Sequence, residues 1–337
     1  MPNLRQATAA VNGFEFQKYA GIYLMLKVFD SFKTLKIEGE SQDIEIEKDD
    51  GLYLFIQAKS TEKPYELSSS SAKKRFKEAV ESFKDTKTSN EGDNLVYINN
   101  FEQKKPFGVE WPQFSNPYYF KYEELPELLK AKIRKISEPA NIDLNKLIFA
   151  GLTFYGDDPD TKTKHIHKKL KETLVEIDPN LLPHSKLIMQ AWASRFGLNG
   201  TAKSNKITKE SIASDLTFYV LRGAEVSNEY REKLNIAEED YLEAIDVYGE
   251  LIERKGLGFK EYNLISKGYQ NARALRSKNA IADYITDELK NIINILGMNE
   301  SAIPKNIKET IAKIIAFKII TRNTQLRDIN NKLRSTK

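Results

Sequence analysis

The sequence predicts an α/β N-terminal domain followed by an all-α domain. Three observations lead there. A strongly apolar helical segment opens the chain. Short runs of period-2 hydrophobicity then fill the next hundred residues or so, separated by turn residues. Beyond about residue 123 the period changes to that of amphipathic helices. A length of 337 residues also suits two domains. The expected division is 1–140 and 141–337, with the boundary inside the stretch 122–158.

Taken in order, residues 12–32 read as a helix that is apolar nearly all round after Tyr19, as a helix packed on a sheet would be. Thr34–Glu38, Asp43–Lys48 and Leu52–Lys59 read as strands. Asp49-Asp50-Gly51 is a hairpin signal, so the last two should be antiparallel. Ser68 to Ser71 can start a helix that runs to about Asp85. Leu95–Ile98 reads as a buried strand. Residues 99–117 hold three prolines and read as loop, and Tyr118–Tyr122 as an edge strand. Leu147–Phe154 reads as strand or buried helix. Asp158-Pro159 and Asp178-Pro179 place an N-cap before a proline, and Asn235 with Glu238 resembles a capping box. Helical periodicity covers 207–221, 238–254, 261–276, 279–297 and 305–333.

Composition excludes much chemistry. There is no cysteine, so no thiol nucleophile, disulfide or thiolate zinc site. Only three histidines occur, and His165 and His167 are two apart, off a shared helical face. Gly256-Leu257-Gly258 lacks the third glycine of a dinucleotide fingerprint, and no Walker A sequence exists. The start is polar and the apolar runs are short, so a cytoplasmic protein without a membrane segment is expected. The net charge of +4 conceals a stretch, 305–337, with nine basic and two acidic residues. Its apolar positions make helix packing its first duty, with contact to DNA or an acidic partner as the other reading. The aromatics around Trp111, Phe114, Tyr118, Tyr119 and Phe120 read as core or loop anchors rather than base-stacking groups.

What remains is carboxylates, amides and lysines within residues 13–59. Gln57 and Lys59 share a strand face by period 2. Asp43 lies one hairpin upstream and falls near Gln57 if the strands pair. A hard cation such as Mg²⁺ or Mn²⁺ takes oxygen ligands. Asp43 offers a carboxylate, Gln57 its amide oxygen and Ala58 its backbone carbonyl. Glu15 on the first helix, or Glu40 or Glu38 beside Asp43, offers a second acid. Lys59 would orient a metal-activated water and stabilise charge on phosphate. The following helix carries Lys73, Lys74, Arg75, Lys77, Lys84 and Lys87. These suit phosphate-backbone contact or a surface helix laced with ion pairs.

A helix glutamate, a strand aspartate and Gln-x-Lys together resemble the PD-(D/E)XK nuclease superfamily. Gly13-Phe14-Glu15-Phe16-Gln17, Gln42-Asp43-Ile44-Glu45-Ile46 and Ile56-Gln57-Ala58-Lys59 look like the CD-NTase-associated endonuclease domain of anti-phage systems, also found as the nuclease subunit of Lamassu complexes. The resemblance covers the first 120–150 residues. It implies a restriction-endonuclease-like fold, a central mixed sheet flanked by helices, and metal-dependent endonuclease cleavage of double-stranded DNA. In its terms Asp43 is the motif aspartate, Gln57 the acidic-position residue, Lys59 the lysine and Glu15 the helix acid. The resemblance, with a second half that reads as helical, implies gating by a partner, an SMC-like ATPase with an accessory subunit, or by homo-oligomer formation. A restriction-type enzyme, a nucleotide-messenger-gated effector and a non-catalytic DNA-binding or assembly subunit are the alternatives.

Overall fold

A computed structural model describes residues 4–86, 88, 90–102, 106–109, 116–156, 158–201, 206–222, 226–255, 259–272, 279–299 and 303–333. The chain divides into two compact units: Met1–Thr173 with Ser185–Thr208, and Leu174–His184 with Lys209–Lys337.

The first unit opens with α1 (Leu4–Lys27), followed by β1 (Phe32–Ile37), β2 (Ile44–Lys48) and β3 (Tyr53–Lys59). These strands form an antiparallel meander. Its second turn is the expected one: Gly51 has φ +79°, its N–H donates to the Lys48 carbonyl, and the Leu52 N–H donates to Asp50 Oδ1 at 3.0 Å. Helix α2 (Ser69–Lys84) then carries the chain across to β4 (Asn94–Asn99), which pairs parallel with β3. A parallel pair requires such a crossover. Ser68 caps α2 by accepting the Ser71 N–H. Next come β5 (Tyr118–Lys121), α3 (Glu127–Ser137), β6 (Leu147–Gly151), α4 (Pro159–Ile177), α5 (Ser185–Thr201) and β7 (Ile207–Thr208). The result is a mixed sheet of seven strands, β5-β6-β4-β3-β2-β1-β7, with flanking helices.

Residues Ala20 to Leu26 of α1 are all buried, because the helix lies on β1–β3 with α5 beside it. The approach is close at Gly21, where a Cβ would stand 2.9 Å from Ile37 Cδ1. The helix ends at Lys27, short of the expected residue 32. Phe32 is drawn into the sheet opposite Lys48, and that pairing overrides helical periodicity. On one sheet face Phe76, Val80 and Phe83 of α2 pack with Leu95, Tyr97, Leu147 and Phe149 of the strands and with Leu129 and Ile133 of α3. The alternate residues Val96, Ile98, Ile148 and Ala150 are buried too.

The ambiguous run 147–154 is a strand over Leu147–Gly151, flanked by β4 and β5. Enclosure on both sides explains its unbroken apolarity, which cannot be told from a buried helix by pattern. The sheet therefore continues past residue 140. Strands β6 and β7, with α5 and most of α4, lie C-terminal to the expected division yet belong to the first unit. The loop 99–117 is described only in part, and Trp111 and Phe114 fall outside the described residues. Tyr118 is buried, and its hydroxyl accepts a hydrogen bond from Asn99 Nδ2 at 2.9 Å. Asp158 caps α4 as expected, accepting the Thr161 N–H at 2.9 Å. Asp178 precedes only a 3₁₀ turn, Pro179–His184, which contains Pro183.

Among the described residues, the second unit is helical: α6 (Lys209–Arg222), α7 (Asn228–Lys233), α8 (Glu238–Lys255), α9 (Phe259–Ala272), α10 (Ala280–Asp287), α11 (Leu289–Ile295), α12 (Lys305–Thr321) and α13 (Asn323–Leu333). Helix α12 forms its centre, with Ile307, Ile311, Ile314, Ile315 and Ile319 buried against its neighbours. Two segments expected as single helices break at Glu288 and at Arg322, where ψ rises to 9° and 14°. Asn235 is not the N-cap of α8. It takes φ +51° and ends α7, donating its N–H to the Glu232 carbonyl. Within the basic C-terminal stretch, Lys318 is buried over the Tyr248 ring and Lys313 Nζ donates to the Leu234 carbonyl. Arg334 and Lys337 lie outside the described residues, as do Lys87 and the Gly256–Gly258 segment. No helix among the described residues is long and apolar enough to cross a membrane.

Phe76 is fully buried, with the rings of Tyr97, Phe107 and Phe149 at 5.1–5.3 Å. Phe76→Ala should lower the stability of the first unit by about 3–5 kcal/mol. Trp192 belongs to this unit, so the shift is read by tryptophan fluorescence in urea.

Candidate functional site

The site forms where β2 stops short of β3. The paired residues run from Glu47 opposite Tyr53 to Ile44 opposite Ile56. Continued by one residue, this register sets Asp43 opposite Gln57, as the sequence predicts. Beyond that point β3 has no strand partner on the β2 side. The Asp43 side chain takes the strand's place: its Oδ2 accepts the Ala58 N–H at 2.9 Å. On an extended strand a residue's N–H and C=O point to the same side. The Ala58 carbonyl therefore projects toward the side on which Asp43 sits.

The turn that presents Asp43 is held from several directions. Glu38 takes φ +51°, and its N–H donates to the Asp43 carbonyl at 2.8 Å. Gln42 is buried and reaches across to α2, donating to the Ser82 carbonyl and to Thr86 Oγ1 while accepting from Ser82 Oγ. Glu45 folds back to accept the Ser41 N–H and hydroxyl. That carboxylate occupies the space a side chain at Gly39 would need, with a Cβ there only 2.5 Å from Glu45 Cδ.

The Asp43 carboxyl is raised above the ordinary aspartate range, chiefly because burial penalises its charge. Four groups oppose that rise: the Ala58 N–H, the Lys59 charge, and hydrogen bonds from the Gln57 and Gln17 side chains. The structure thus brings Asp43, Gln57, Ala58 and Lys59 together, as the sequence predicts. It adds Gln17 of α1, whose Oε1 is buried with no hydrogen-bond partner among the described residues.

The other acids do not join. Glu15 is not among the groups acting on Asp43; it pairs with Lys162 of α4, with 3.5 Å between Oε2 and Nζ. Glu15 and Gln17 are two residues apart, hence about 200° apart around α1, so only one can face Asp43. Glu40 points outward with its side chain 87% exposed and pairs with Lys36 at 3.2 Å. Glu38 is likewise exposed and not among the groups acting on Asp43. No group of three or more His, Asp or Glu side chains suited to a metal forms among the described residues. His167 instead shares a hydrogen bond with Ser185 Oγ, 3.1 Å from Nε2.

Lys73, Lys74 and Lys77 are exposed on α2. Arg75 ties that helix to the site, since its Nη1 donates to the carbonyl of Ser60, the residue after Lys59, at 2.7 Å. No family model, curated protein or solved structure matches the chain.

The half-buried charge of Asp43 carries a stability consequence. Asp43→Asn removes that charge, while the amide oxygen can still accept the Ala58 N–H. The variant should be more stable than the parent by about 0.5–2 kcal/mol in metal-free buffer, read as a rise in melting temperature. An aspartate kept only as a strand cap would give a loss instead.

Proposed function

We propose that the chain is a metal-dependent endonuclease that hydrolyses phosphodiester bonds of double-stranded DNA. The observation that carries the reading is the placing of one half-buried carboxylate, Asp43, at the end of β2, where it holds the Ala58 N–H and stands opposite Gln57 with Lys59 two residues on. The donor set fits Mg²⁺ or Mn²⁺: hard oxygens from Asp43, Gln57 and the Ala58 carbonyl, with no competing soft ligand. A bound cation would supply Lewis acidity toward phosphate and a more acidic water. The protein's own part is positional. Asp43 is held at the end of β3 by the Ala58 N–H and by the Gln42 lock onto α2. Lys59, two residues on from Gln57, places a compact positive charge beside the phosphate that enters. The exposed lysines of α2 would hold the flanking backbone, giving salt-sensitive binding without sequence preference.

The DNA substrate and a role as an anti-phage effector, gated by an SMC-like ATPase complex or by self-assembly, rest on the sequence resemblance. So does a restriction-endonuclease-like classification of the fold, while a cytoplasmic setting rests on the polar start and the short apolar runs. A second reading has its own support. Asp93 caps the start of β3 in a similar way, accepting the Tyr53 and Asn90 N–H groups. A strand-capping carboxylate is therefore used elsewhere in this sheet, and a non-catalytic assembly subunit would need nothing more of Asp43.

Plasmid nicking in Mg²⁺ or Mn²⁺ separates the two. Lys59→Ala and Asp43→Ala should each lower the rate by ~10²-fold or more, with Lys73→Ala weakening DNA binding more than turnover. Cleavage that survives both site substitutions contradicts the nuclease site.

A further inference from the structure

We propose that Tyr65 and Tyr155 form a stacking platform for one unpaired base of the DNA strand whose backbone meets Lys59. The proposal rests on the nuclease reading of the neighbouring site. It adds the kind of DNA preferred there: duplex interrupted by an unpaired nucleotide. The Tyr65 hydroxyl donates to that of Tyr155 at 2.5 Å, and the rings meet edge to face with centroids 5.1 Å apart and planes at 74°. Such a contact uses the edge of one ring and one face of the other, so Tyr65 keeps at least one face clear of Tyr155. Tyr65 is also 64% exposed. A large aromatic surface is thus held in a fixed direction in open solvent.

The pair stands at the edge of the sheet that carries the site. Lys59, Asn99 and Gly151 form one row across the parallel strands β3, β4 and β6. The ends of that row lie two strand spacings apart, about 10 Å. Tyr65 follows the first of these strands in the chain, and Tyr155 follows the last. Asn100, buried just past the row, fixes both connections. Its Oδ1 accepts the Thr61 N–H at 2.9 Å, and its Nδ2 donates to the Thr61 carbonyl at 2.8 Å and to the Phe154 carbonyl at 2.7 Å. The platform is therefore ordered before anything binds, which lowers the entropic cost of binding. The surrounding charges favour a base over a phosphate. Lys63 is neutralised by Glu66 at 3.0 Å, and Glu102 accepts from Thr153 Oγ1 at 3.4 Å. Positive charge lies instead on Lys59 and on α2, which Arg75 ties to Ser60. A strand with its phosphates on that positive side can lay a base on Tyr65 only if the base has left its own stack.

Anisotropy titration of the full chain tests this, with Ca²⁺ in place of Mg²⁺ so that a divalent charge is present while turnover is suppressed. Two labelled duplexes of equal length are compared, one fully paired and one with a single bulged base. The parent should bind the bulged duplex at least about fivefold more tightly, the lower end of what base–aromatic stacking contributes. Tyr65→Ala should bring that ratio to about one. Tyr65→Phe keeps the ring without the hydroxyl and should hold the ratio within about twofold of the parent's. Binding of the fully paired duplex reports folded protein in each case. If Tyr65→Phe loses the preference as completely as Tyr65→Ala, the hydroxyl bond is only a latch between two loops and the proposal is overturned. A preference that survives Tyr65→Ala, or a parent that binds both duplexes equally, overturns it too, and leaves the nuclease reading to stand on plasmid nicking. A parent that binds neither duplex overturns both.

Discussion

One hydrogen bond organises the first unit: the Ala58 N–H donated to the Asp43 carboxylate. It lies where a strand ends while its neighbour continues. Had β2 run two residues further, a main-chain carbonyl would have taken that N–H. Because a side chain does so instead, a carboxylate is drawn into the plane of the sheet beside Gln57. Everything around it reads as support. Gln42 fastens the turn to α2, and Glu45 closes the loop over Gly39. Arg75 holds α2 against the residue that follows Lys59.

That bond also explains the tension in the site. Burial disfavours the charge on Asp43, yet the surrounding donors keep a carboxylate in place. Purely structural caps need no lysine two residues along the strand from an opposing amide. A functional carboxylate does, since a phosphate must be met by positive charge while a cation is met by negative charge. The two requirements are separated along β3: Gln57 faces Asp43, and Lys59 lies beyond it.

Much of this was legible in the sequence because it depends on period-2 geometry and one turn. The Asp49-Asp50-Gly51 hairpin defines the register, the register sets Asp43 against Gln57, and alternation puts Lys59 on the same face as Gln57. The contribution of α1 was not legible. A helix apolar on nearly every side gives no phase, so pattern alone cannot say whether Glu15 or Gln17 turns toward the sheet. Packing against β1–β3 on one side and α5 on another decides it. Glu40 looked available because Asp43 is close in sequence, but its pairing with Lys36 turns it outward. The extent of the first unit was hidden for a related reason. All five residues of strand β6 are buried, so both faces of the strand are covered and it shows no alternation.

The central proposal is that Asp43 anchors a cation site completed by the Gln57 amide and the Ala58 carbonyl. Anomalous diffraction at the manganese edge, from crystals grown with Mn²⁺, tests it most directly. The expected result is one strong peak in coordinating contact with Asp43, with the Gln57 amide presenting its oxygen. Crystals that take up manganese only elsewhere would contradict it.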